Sequence, residues 1–133
     1  MDYRTFKDLL RNYYKYQIAI EEIKTDLELV LYEMTGVKAI DYSKPYMQPN
    51  PSLSHERKLE LIDKKAALEL ELEYTYTAIK LIELKLSKLS ESDKQICLKI
   101  IAKGETYESV GNEQGYTISG MWRKVRRALK NIL

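Results

Sequence analysis

Between residues 6 and 34 an apolar or aromatic side chain recurs at alternating steps of three and four: Phe6, Leu9, Tyr13, Tyr16, Ile20, Ile23, Leu27, Val30 and Met34. Steps that average three and a half residues keep one stripe of a helix turned toward a partner over about four heptads. A strand would instead alternate every second residue. The spacing therefore predicts one long helix over about residues 2–35, with Gly36 placed to end it in the left-handed conformation.

A second helix is predicted over about residues 53–89, with Ser54 as its N-cap. Its seam reads Leu61, Leu68, Leu72, Thr75, Ile79, Ile82, Leu86 and Leu89, with Lys65 as the one charged member. A further stripe of Leu70, Tyr74, Leu81 and Leu84 runs beside it and asks for a second neighbour. All three prolines, Pro45, Pro49 and Pro51, fall in the connector 36–52. Residues 1–89 thus read as an antiparallel helical hairpin, and residues 90–133 as a separate domain. Heptads do not count strands, so the seams fit either a packed monomer or a homodimer through the N-terminal helices.

Composition narrows the function. A single cysteine, Cys97, excludes a disulfide within the chain and suits a reducing cytoplasm. No apolar run approaches the roughly 20 residues needed to span a bilayer, and "MDYRTFKDLLRNYYKYQ" lacks signal-peptide order. A chain without membrane association, in the cytoplasm of a bacterial host, is the expectation. His55 is the one histidine, and metal-ligand clusters, phosphate loops and glycine-rich dinucleotide turns are absent. No catalytic residue, metal or cofactor is expected, and Cys97 reads as a small core filler.

Net charge is only +2, but its distribution is uneven. Residues 89–133 hold eight basic and five acidic side chains, and every acid precedes residue 114. This segment reads as three short helices. Ser90 and Asp93 form a capping pattern before "KQICLKIIAKG", whose apolar face is Ile96, Ile100 and Ile101. Thr106 caps "YESVGNEQ", which Gly115 terminates, and Thr117 caps "ISGMWRKVRRALKNIL".

Two short helices joined through "QGYT" are what a helix-turn-helix requires. Gly115 supplies the positive φ of the turn, and Gly111 the small side chain for a close crossing. Val110, Met121 and Val125 form the miniature core, with Ala128, Leu129 and Ile132 on the same side. The outward face then shows Ile118, Ser119, Trp122 and Arg123 at its front, where residues of this motif meet base edges in the major groove. Ser119 can exchange a hydrogen bond, Ile118 can cover a thymine methyl, and Arg123 can grip guanine with two bonds. Thr117, Lys124, Arg126, Arg127 and Lys130 are placed as phosphate contacts, which give affinity without sequence information. The bland reading is a solvated basic helix end, because cations favour a helix C-terminus, with Trp122 as a packing anchor.

The stretch "LSESDKQICLKIIAKGETYESVGNEQGYTISGMWRKVRRALKNIL" resembles region 4 of bacterial sigma factors. Tyr107, Glu108, Val110, Gly115, Tyr116, Thr117, Met121, Arg123, Val125, Arg127, Ala128 and Leu129 fall into that pattern without a gap. With the upstream helices, the whole chain resembles the RinA- and ArpU-like late-gene regulators of Gram-positive phages and related mobile elements. The resemblance implies an all-α fold: a long N-terminal helical hairpin, then a sigma region 4-like helix-turn-helix. It also implies a sequence-specific activator of late genes whose partner is double-stranded DNA. Gly111 stands where the pattern has alanine, Gln114 where it has leucine, and Gly120 lies inside the last helix. The two glycines each cost up to about 1 kcal/mol of helix propensity. The alternative is a sigma-like interaction protein that binds RNA polymerase, a sigma factor or another phage regulator without reading DNA.

Overall fold

The computed structural model describes residues 1–36 and 53–133, so the connector expected at 36–52 lies almost wholly outside the described residues. Among the described residues the chain is all-α, with six α-helices and no strand. They are α1 (Tyr3–Arg11), α2 (Tyr13–Thr35), α3 (His55–Leu86), α4 (Glu91–Cys97), α5 (Tyr107–Gln114) and α6 (Ile118–Asn131). A π-helical stretch, Leu98–Ala102, continues α4. The chain forms two compact units, one combining residues 1–17 with 77–133 and the other made of residues 18–76.

The 18–76 unit contains most of α2 and α3. Along α2 the seam residues Ile20, Ile23 and Val30 are buried, as Leu61 and Thr75 are along α3. Thr75 answers its own burial by donating its hydroxyl to the Glu71 carbonyl at 2.8 Å. Near the end of α2, Glu33 accepts two bonds from the Arg57 guanidinium in the first turn of α3, at 2.8 and 2.7 Å. Lys24 lies over the Tyr76 ring at 5.6 Å. These pairs run in opposite chain order, so the two helices are antiparallel here. Of the second stripe, Leu70 and Tyr74 are both 69% exposed in the single chain.

The single helix expected over 2–35 is two helices, because the chain leaves helical geometry at Asn12 (φ −97°, ψ 7°). The Asn12 amide donates to the Asp8 carbonyl at 3.0 Å, a side-chain bond that competes with the helical ladder. Phe6 and Leu10, both fully buried, enter the core of the unit formed by residues 1–17 and 77–133. There α1 packs against the π-helical stretch, while α4 packs on α6.

That core is organised around α4 and its π-helical continuation. In the stretch, Lys103 N–H donates to the Leu98 carbonyl, five residues back, at 2.9 Å. The wider turn leaves Ile96, Cys97, Leu98, Ile100 and Ile101 all buried. Neighbours on more than one side explain why so much of the helix circumference is apolar. The apolar face expected of Ile96, Ile100 and Ile101 omits Leu98, which stands three residues before Ile101, a spacing that shares a helical face.

Candidate nucleic-acid interface

α5 and α6 are joined by a tight turn whose geometry follows from two glycines. Gly115 takes the left-handed conformation (φ 78°), and Tyr116 N–H donates back to the Gly111 carbonyl at 2.8 Å. A Cβ on Gly111 would stand 2.9 Å from the Tyr116 carbonyl oxygen, so the backbone after the turn lies against a bare Cα. Thr106 and Thr117 cap the two helices, accepting from Ser109 N–H and Gly120 N–H at 3.0 Å each.

The turn fixes which side of α6 faces inward. Met121, Val125 and Leu129 recur every four residues and are at most 1% exposed, and Val110 of α5 is fully buried with them. At about 100° per residue Arg123 lies nearly opposite Val125. Ile118 (55% exposed), Ser119, Trp122 (42%) and Arg123 all reach the surface, as do Thr117, Arg127 and Lys130. Arg123 and Arg127 line a groove of about 380 Å³ together with Tyr116, Gly120 and Asp93.

The cations of α6 have three different surroundings. Lys124 donates to the Tyr116 hydroxyl at 3.3 Å and lies 3.5 Å from Asp93, over the Tyr116 ring. The Tyr116 hydroxyl and then the Asp93 charge raise its pKa. Lys124 is thus partly neutralised within the protein, which the sequence reading did not foresee. Arg126 is half-buried between two rings, its guanidinium 5.5 Å from Tyr3 and 5.1 Å from Trp122. Such stacking is worth about 0.5–1 kcal/mol at an exposed site and holds the side chain in place. Arg123, Arg127 and Lys130 form no ion pair among the described residues.

Tyr3 and Lys7 were missed as neighbours of α6 because residues 2–35 read as one straight helix. Nothing in the apolar spacing marks Asn12, which stands among charged and aromatic residues between Arg11 and Tyr13. Glu113 of α5 accepts from Lys99 of the π-helical stretch at 3.3 Å.

Cys97 is 1% exposed, and burial, reinforced by the Asp93 carboxylate, pushes its thiol up to about 12. Its thiolate is therefore scarce near neutrality. Among the described residues no group of His, Cys, Asp and Glu could hold a metal, and no helix is long and apolar enough to cross a membrane. Compared with protein-family models, curated proteins and solved structures, the chain matches none of them.

Proposed function

We propose that the chain is a sequence-specific regulator of transcription that binds double-stranded DNA, with α5 and α6 as a sigma region 4-like helix-turn-helix. In this reading Ile118, Ser119, Trp122 and Arg123 meet base edges, and Thr117, Arg126, Arg127 and Lys130 meet phosphates. Lys124 contributes less than its charge suggests, because Asp93 and Tyr116 already hold it. Residues 1–17 and 77–89 belong to the compact unit that carries this helix-turn-helix, and residues 18–76 form the antiparallel helical pair. The resemblance to late-gene regulators makes activation of phage or mobile-element late genes the process served.

One observation carries the proposal. The exposed face of α6, a helix with no acid of its own, stands opposite a buried Met121, Val125 and Leu129 stripe, on a helix fixed by the Gly111–Gly115 turn. A helix so anchored presents its front residues as a rigid unit, which groove readout needs. Selection of bound duplexes from a random pool tests it. A recovered motif supports the reading, and a pool that stays random through repeated rounds refutes it.

A second reading is favoured by the apolar front of the same face. Tyr116, Ile118 and Trp122 are 42%, 55% and 42% exposed and sit within seven residues. Exposed aromatic and aliphatic anchors of this kind suit a protein partner such as RNA polymerase or a sigma factor. Tight polymerase binding with no DNA binding would decide for it. Homodimerisation is supported by the outer side of α3, where Leu59, Ile62, Leu70 and Tyr74 are 50–69% exposed.

A further inference from the structure

The cationic surface of α6 continues onto α1. The Tyr3 ring has Lys7 Nζ 5.9 Å from its centre, the Arg126 guanidinium at 5.5 Å and Lys130 Nζ at 5.8 Å. Cations from two helices thus converge on one ring. Among the described residues none of the three ion-pairs with a carboxylate. The acids of this region do not pair with the three cations: Asp2 accepts Thr5 N–H at 2.7 Å, and Asp8 lies 3.5 Å from Arg11, whose charge it offsets in part. A tyrosine face offsets only part of the mutual repulsion of such a group, and an anion bound among them removes it.

From the end of α1 into the first turn of α2 the same character persists. Lys7, Arg11 and Lys15 line a groove of about 400 Å³ with Lys103, and Glu105 is the one acid among its described lining residues. Three of these four are lysines, flexible point charges that suit phosphates and carry no base information.

We propose that α1 is a second backbone-binding element. The cluster of Lys7, Arg126 and Lys130 around Tyr3 holds a phosphodiester of the duplex that α6 enters, and the groove carrying Arg11, Lys15 and Lys103 takes the phosphates that follow. Arg126 and Lys130 belong to both surfaces, so the anion at Tyr3 adjoins whatever lies on α6. A DNA strand flanking the major groove supplies anions in that position. This inference rests on the DNA reading of α6.

The test is fluorescence anisotropy of the full chain with a labelled selected duplex and a scrambled one, titrated with salt. Removing one phosphate contact lowers the log–log salt slope by about 0.9, so the deficit of Lys7→Gln relative to wild type shrinks about 3.5-fold between about 50 and 200 mM salt. Lys7→Gln is expected to show this on both duplexes alike, Lys103→Gln to show the same, and Lys7→Arg to restore binding. Unchanged slopes for Lys7→Gln and Lys103→Gln, with Arg123→Ala still impaired, overturn the inference and leave the DNA reading standing. A wild-type chain that binds neither duplex overturns both.

Discussion

Alanine at Gly111 sets two effects of opposite sign against each other. Within α5 the substitution gains about 0.8–1.0 kcal/mol of helix propensity. Its Cβ, however, would stand 2.9 Å from the Tyr116 carbonyl oxygen and 3.6 Å from that of Thr117. Ordinary contact begins near 3.4 Å, so the Tyr116 carbonyl has to retreat by several tenths of an ångström. It is backbone and cannot swing away. The Tyr116 N–H is bound to the Gly111 carbonyl at 2.8 Å, and the next residue, Thr117, caps α6. Overpacking against fixed neighbours costs about 1–3 kcal/mol, so the net expectation is a destabilisation of about 1 kcal/mol. For a chain of this size that lowers Tm by about 4 °C. Gly120→Ala is the internal comparison. Its Cβ would meet the Thr117 side-chain oxygen at 3.0 Å, and a hydroxyl can adjust where a carbonyl cannot. Propensity gain and a strained cap, worth about 1 kcal/mol, then nearly cancel. Thermal melts of both variants by circular dichroism decide the matter. A Gly111→Ala protein that melts above wild type would refute the close approach of the α5–α6 turn.

Other expectations follow from burial, titration and exposure. Leu129→Ala empties a fully buried position and is expected to cost about 2–5 kcal/mol in urea unfolding; a loss below about 1 kcal/mol would mean α6 is not packed as described. Burial pushes the Cys97 thiol from its ordinary 9.0 to about 12 and, with the Glu83 hydrogen bond, the Tyr13 phenol from 10.0 to about 12. Both groups hold protons more tightly in the folded chain, so this stabilisation is complete below pH about 9 and is lost as pH rises toward about 12. Urea midpoints should fall across that window, with Cys97→Ala flattening the first part of the decline; a midpoint that stays constant contradicts the burial. Replacing both Leu70 and Tyr74 by lysine is expected to shift sedimentation equilibrium toward monomer without changing the helical signal. A wild-type chain already monomeric at high concentration would remove the dimer.

Much of this was legible in the spacing of apolar residues. Ile20, Ile23, Val30, Leu61, Thr75, Ile82 and Leu86 lie on the two seams, and all are buried. Val110, Met121, Val125 and Leu129 are likewise inside. Periodicity is a local signal, and these residues answer to it. The break at Asn12 was not legible, because it depends on a side-chain amide capturing one carbonyl rather than on apolar period. With it went the docking of α1: Leu10 lies off the heptad seam, yet it is fully buried against residues some ninety positions away. The cluster around Tyr3 depends on that docking, so no inspection of α6 alone would have found Lys7. Leu98 is a different case, since it stands three residues before Ile101 and the ordinary helical spacing already allowed it on the buried face. Lys124 shows the limit for charges: sequence gives its sign, and only the folded chain gives it Asp93 and Tyr116 as partners.

The most direct test of base reading by α6 is the affinity of wild type and Arg123→Ala for the selected duplex and for its single-base-pair variants, at fixed salt. Wild type should discriminate by about 1–3 kcal/mol at one or more positions. Arg123→Ala should lose that discrimination at one position while its melting temperature and its affinity for random duplex stay close to wild type. Equal weakening on every duplex, or no measurable discrimination by wild type, would contradict base reading by this helix.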